Sequence, residues 1–134
     1  FWTPVRPTAI WGDAATFVPW EIYQASGDTT ILAAQWESAH TWVDLVCERA
    51  GADRIWDGDF QLGDWLDPAA PPEDPLRAMT DPALVATAFF AESARIVSSW
   101  AQVRGGRVAM RASTQHCTKN PFGFPPPFRP RRRF

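Results

Sequence analysis

The sequence predicts an all-α protein of about three helices, and two patterns carry the prediction. Apolar residues between Leu32 and Ala50 recur at three- and four-residue steps, the period of a helix with one buried face. Each helical stretch is also punctuated in the same sense, with an acidic residue ahead of it and glycine behind: Asp13 and Gly27, Asp28 and Gly51, then Asp81-Pro82 and Gly105-Gly106. A hydrophobic content of 46% in 134 residues suits one globular unit with a core and is too little chain for two comfortable ones.

Taken in order, residues 1–10 carry Pro4, Pro7 and Thr8 and read as an extended lead-in. The first helix is expected from about Ala14 to Ser26, capped by the Asp13 carboxylate and stopped by Gly27. Pro19 falls inside it and should bend it or free a carbonyl, unless the helix begins one turn later. Asp28 caps a second helix, about Thr29 to Ala50, whose stripe is Leu32, Trp36, Ala39, Val43, Val46 and Ala50, widened by Trp42 and Leu45. The junction at Gly27-Asp28 is so short that the two helices must form a hairpin.

Residues 52–79 form a connection rich in Pro and Asp, long enough that a functional role is expected of it, with short extended pieces such as Asp59–Leu62 available for pairing. Asp81 then caps a third helix with Pro82 at its first position, where a missing N–H costs nothing. Val85, Phe89, Ile96 and Trp100 are its expected apolar face, and its end is expected near Gly105-Gly106.

Charge divides the chain sharply. Residues 1–100 hold all fifteen acidic side chains and five arginines, a net of −10, whereas residues 101–134 hold eight basic side chains and no acidic one, a net of +8. Residues 107–134 show no helical or strand period, and residues 104–134 read as a disordered Arg/Pro-rich tail. The favoured explanation is out-of-frame translation; an anionic partner for Arg131-Arg132-Arg133 and a polyproline ligand at Pro127-x-x-Pro130 are the alternatives. The chain begins at Phe1 and is read as a partial product. Cys47 and Cys117 are read as lone thiols, with Cys47 in core packing. The longest nearly apolar run, Ala83–Ala91, is far short of the roughly 20 residues that cross a bilayer. Neither His40 nor His116 has a second ligand at metal spacing, so no metal and no cofactor are expected, and neither a nucleic-acid nor a membrane partner.

Two clusters repeat one chemistry. Trp11-Gly12-Asp13 and Gly63-Asp64-Trp65 each set an indole beside a carboxylate just ahead of a helix, an arrangement suited to a sugar, whose ring stacks on the aromatic while its hydroxyls donate to the acid. Each residue also has a plainer reading: Asp13 as a helix cap, Asp64 as the acceptor of an Asx turn, Trp11 and Trp65 as core. Trp20, Trp36, Trp42 and Trp100 are core by period, and Glu21, Glu37, Glu48 and Glu92 lie mostly off the apolar stripes as solvated groups.

Several motifs in order carry a resemblance. Trp11-Gly12-Asp13-Ala14-Ala15, Val18-Pro19-Trp20, Gly27-Asp28, Trp42-Val43, Gly63-Asp64-Trp65-Leu66-Asp67-Pro68, Thr80-Asp81-Pro82, Ala86-Thr87-Ala88-Phe89-Phe90-Ala91 and Ser93-Ala94-Arg95 resemble bacterial α-L-rhamnosidases of glycoside hydrolase family 78, over residues 8–102. The resemblance implies a partial (α/α)6 barrel of the six-hairpin glycosidase type, of which residues 1–103 supply about three helices. It implies an inverting hydrolase of terminal α-L-rhamnosyl residues, in which an acid and a base stand about 6.5–9.5 Å apart across the sugar. The family's acid lies in an Asp-Cys-Pro, Arg-x-Glu segment upstream of the Trp11 motif and its base far downstream; neither has a counterpart here, so no catalytic residue is assigned and the chain alone is expected to be inactive. The resemblance places Trp11 and Trp65 on the wall of the rhamnose subsite, with Asp13 and Asp64 beside them as further substrate-binding residues. Rhamnose-containing glycosides are the expected partners; compartment and oligomeric state stay open. Two other readings also stay open: a different six-hairpin glycosidase, glucoamylase-like or an unsaturated glucuronyl hydrolase, and a non-catalytic carbohydrate-binding or helical interaction module.

Overall fold

The computed structural model describes residues 6–65, 67–74, 77 and 79–105. Three helices, α1 (Ala14–Ser26), α2 (Thr30–Ala50) and α3 (Pro82–Val103), each pack on the other two, and among the described residues there is no strand. The extended pairing expected at Asp59–Leu62 is therefore not formed; instead the Gln61 side chain receives the Ala9 N–H on Oε1 at 2.8 Å. The expected tail lies outside the described residues from 106 onward.

Helix α1 starts at Ala14 and runs through Pro19, so the later start is excluded. It stops at Gly27, whose left-handed φ of 73° lets its N–H reach the Tyr23 carbonyl at 2.7 Å. Thr29 holds the N-cap position of α2 without a side-chain bond, and Asp28 does the capping chemistry, accepting the Thr30 N–H and hydroxyl, each at 2.8 Å. Those two bonds, the backbone one first, hold the Asp28 carboxyl below its ordinary value. Asp81 caps α3 as expected, taking the Ala83 N–H at 2.8 Å.

The stripe of α2 is buried along its whole length, from Leu32 to Ala50, with Trp42 and Leu45 half-buried at its margin. The face of α3 differs from expectation. Ile96 and Trp100 are buried, but Val85 and Phe89 are only partly so, and the buried line runs one residue further on, through Ala86, Phe90, Ala94 and Val97. Phe89 instead meets Phe17 of α1 at 5.9 Å. Trp56, in the connection between α2 and α3, is completely buried: its backbone N–H is given to Thr87 Oγ1 at 3.0 Å and its indole stands edge-on to Trp42 at 5.9 Å. Cys47 is not the lone thiol expected of it; its sulfur is disulfide-bonded.

Asp59 ties this connection back to α2, accepting the Trp56 indole N–H at 2.8 Å and the Arg49 guanidinium. Burial pushes the Asp59 carboxyl up, but the bonds from Trp56 and Arg49 and the charges of Arg49 and Arg6 together hold it below the ordinary 3.8. A carboxyl with a depressed folded value stabilises the fold above its unfolded value and loses that contribution as pH falls through the folded one. The thermal midpoint is therefore expected to fall as pH drops below 3.8, and Asp59→Asn to remove part of that slope; superimposable pH profiles for the two proteins would refute the assignment.

Candidate functional site

The turn ahead of α1 is built around Asp13, and its chemistry differs from a helix cap. Asp13 is 1% exposed and its side chain takes no N–H of α1. Oδ1 accepts the Trp42 indole N–H of α2 at 2.8 Å and the Ser93 hydroxyl of α3 at 2.6 Å, while Oδ2 reaches back to the Ile10 N–H at 2.8 Å. The Asp13 carbonyl accepts the Thr16 hydroxyl at 2.8 Å, and Thr16 Oγ1 lies 2.8 Å from Ser93 Oγ. Since the Ser93 proton goes to Asp13, the Thr16 proton is the one shared between the Ser93 oxygen and the Asp13 carbonyl. The Asp13 carboxyl is thus enclosed by donors from the turn, α2 and α3, with 1% of the residue exposed.

Two further features constrain this turn. Ile10 has a φ of 74°, a left-handed conformation unusual for a β-branched residue. Gly12 lies flat against the Trp42 indole, where a Cβ would stand 2.0 Å from the ring. The second cluster is set by another glycine: Gly63, at a φ of 58°, packs on Pro82, with a Cβ position only 3.3 Å from that residue's Cα, so the chain turns directly in front of α3. Beyond it, the Asp64 carbonyl accepts the Asp67 N–H at 2.8 Å. The loop-stiffening role expected of Asp64 belongs to Asp67, whose carboxyl accepts the N–H groups of Ala69 at 2.8 Å and Met79 at 3.1 Å. The Asp64 carboxyl is half-buried and has no hydrogen-bond partner among the described residues.

The outcome is that Trp11 and Trp65, fifty-four positions apart in sequence, stand side by side. Their ring centroids are 5.5 Å apart, tilted at 45°, and they remain 53% and 41% exposed. In contrast, Trp20, Trp36 and Trp100 are buried, as their period requires, and Trp42 is half-buried with its indole committed to Asp13. Glu92 is paired with Arg95 through two bonds of 2.7 and 2.6 Å while its side chain stays 39% exposed, a solvated group as expected. His40 is buried against Trp36 and beside Asp44, and among the described residues no cluster of His, Cys, Asp or Glu could hold a metal ion. No helix of the described residues is long and apolar enough to cross a membrane. Sequence reasoning gave Ser93, Gln61 and Ile10 no role at the site; no local pattern marks the first two, since the Ser93–Asp13 and Ala9–Gln61 bonds span 80 and 52 residues.

Three packed helices, with two exposed indoles in contact beside them, define a class of all-α helical-hairpin proteins. The comparisons narrow it. Residues 1–115 match the family described as the bacterial alpha-L-rhamnosidase 6 hairpin glycosidase domain, and the chain belongs to that family. It is 39% identical over 85 residues to an alpha-L-rhamnosidase of Alteromonas sp. (strain LOR), covering 62% of this chain and 9% of that protein. It is 37% identical over 97 residues to an alpha-L-rhamnosidase of Streptomyces avermitilis, covering 71% of this chain and 8% of that one. The crystal structure of native alfa-L-rhamnosidase from Aspergillus terreus superposes with a TM-score of 0.69 at 33% identity, covering 88% of this chain and 13% of that one. The chain thus spans about a tenth of the length of the relatives it matches, and its three helices are part of an all-α six-hairpin domain.

Proposed function

We propose that this chain contributes part of the rhamnose-binding wall of an α-L-rhamnosidase that hydrolyses terminal α-L-rhamnosyl residues, with both catalytic carboxylates supplied from outside these 134 residues. The observation that carries the reading is the pair of exposed indoles, Trp11 and Trp65, held 5.5 Å apart by two separate left-handed turns, at Ile10 and Gly63. A 6-deoxy sugar has an apolar edge formed by its methyl group and ring hydrogens, and a flat indole covers such an edge without disturbing the hydroxyls. Asp64, half-buried and without a hydrogen-bond partner among the described residues, is the acceptor nearest in sequence to that wall. Asp13 enters the proposal as a support of the wall rather than as a ligand of the sugar.

L-rhamnose titrated into the isotope-labelled chain is expected to shift the indole N–H signals of Trp11 and Trp65 and to leave those of buried Trp56 and Trp100 in place. Trp11→Ala is expected to weaken binding roughly tenfold, because an indole covering about 50 Å² of apolar sugar surface contributes about 1.2 kcal/mol. Signals of Trp11 and Trp65 that stay fixed up to the solubility limit of the sugar would remove the wall from the account.

A further inference from the structure

We propose that Asp13 is a positioning residue for Trp11: its buried carboxyl clamps Ile10 in a left-handed turn and so fixes the angle at which the Trp11 indole meets Trp65. The sugar role of that angle rests on the reading of Trp11 and Trp65 as a rhamnose wall, whereas the clamp itself does not.

A β-branched residue at a φ of 74° persists only where its surroundings over-determine it, and such residues gather at ligand sites. The Ile10 side chain is 40% exposed, so its own packing does little to offset the strain. What holds it is a set of bonds on every side. Its N–H goes to Asp13 Oδ2 at 2.8 Å, the Ala9 N–H before it to Gln61 Oε1 at 2.8 Å, and the Gly12 N–H after it to the Thr8 carbonyl at 3.1 Å. Of these acceptors only Asp13 is itself fixed to both other helices, through Trp42 at 2.8 Å and Ser93 at 2.6 Å. The direction in which residue 11 leaves the backbone is thereby referred to α2 and α3. Those bonds go to groups outside α1, so capping does not explain the burial of this carboxyl. A carboxyl can accept on both oxygens at once, whereas an asparagine amide must turn an NH2 toward one of the donors that Asp13 now receives.

Two indoles in contact give a coupled far-ultraviolet circular dichroism signal whose size depends on their mutual angle. The difference between wild type and Trp11→Phe isolates the Trp11–Trp65 pair from the other tryptophan pairs. In the full chain, Asp13→Asn is expected to keep the helical signal and lose at least half of that coupled signal, with L-rhamnose affinity reduced several-fold. Ile10→Gly keeps the N–H that Asp13 Oδ2 accepts and removes the penalty on a left-handed φ, so it is expected to keep or raise the thermal midpoint and to leave the coupled signal in place, and a coupled signal that falls there overturns the proposal. A folded Asp13→Asn chain with its full coupled signal overturns the proposal. Should Asp13→Asn not fold, Ile10→Pro decides alone, since proline lacks the N–H that Asp13 Oδ2 accepts and cannot adopt a positive φ, and an undiminished coupled signal there overturns the proposal equally. A coupled signal that falls in a chain that never binds L-rhamnose leaves the clamp standing and removes the sugar reading.

Discussion

Substituting alanine for Asp13 is expected to lower the unfolding free energy by about 3–5 kcal/mol, because three donors lose their acceptor together. The Ile10 N–H, the Trp42 indole N–H and the Ser93 hydroxyl converge on one carboxyl in a site that is 1% exposed. A buried donor without a partner costs about 1–3 kcal/mol, and water entering the vacated space would soften the sum. Small domains have only about 5–15 kcal/mol in all, so the variant should be near the threshold of folding. Urea denaturation measures this directly. A loss below about 1 kcal/mol would mean that water replaces the carboxyl without difficulty, leaving the turn with another support.

Trp100→Ala is expected to cost a similar amount, about 3–5 kcal/mol, for a different reason. Trp100 has no exposed surface, gives its indole N–H to the Leu32 carbonyl at 3.0 Å, and stands edge-on to Trp36 at 6.0 Å. Trp36 in turn carries the Arg104 guanidinium 5.0 Å above its ring, so the vacancy would loosen the end of α3 as well as its middle. A chain of this size loses about 3–5 °C of thermal midpoint per kcal/mol, which puts the expected fall above about 9 °C. Trp100→Phe, which keeps most of the volume and loses the hydrogen bond, should recover the larger part of it. A midpoint within a few degrees of wild type for the alanine variant would show that this core collapses around the gap.

What could be read from the sequence was what is local. The α2 stripe was legible because its other face is polar, and the Asp81-Pro82 start of α3 because a cap and a proline act within one turn. The face of α3 was misplaced by one residue since that helix is rich in alanine and small residues, which give a period little contrast. Trp56 was overlooked because burial in a connection has no period at all. Asp13 was noticed at the head of α1 and read as a helix cap, which it is not, and its bonds to Trp42 and Ser93 span 29 and 80 residues, so nothing near it in the chain announces them. The closeness of Trp11 and Trp65 depends on left-handed turns at Ile10 and Gly63, of which only the glycine is visible as a residue type.

The absence of a side chain at Gly12 and the breadth of the Trp42 ring fill the same small volume. Neither position can drift by itself: alanine at 12 would drive the indole off Asp13, and a smaller residue at 42 would leave a hole beside the turn. The two should therefore change hands only as a couple, so that alanine at 12 is harmful beside Trp42 and far less so beside a narrower ring. A double-mutant cycle of Gly12→Ala with Trp42→Phe would register that mutual dependence as a non-additive term, and homologues bearing a bulkier residue at 12 should be those that have already given up the tryptophan.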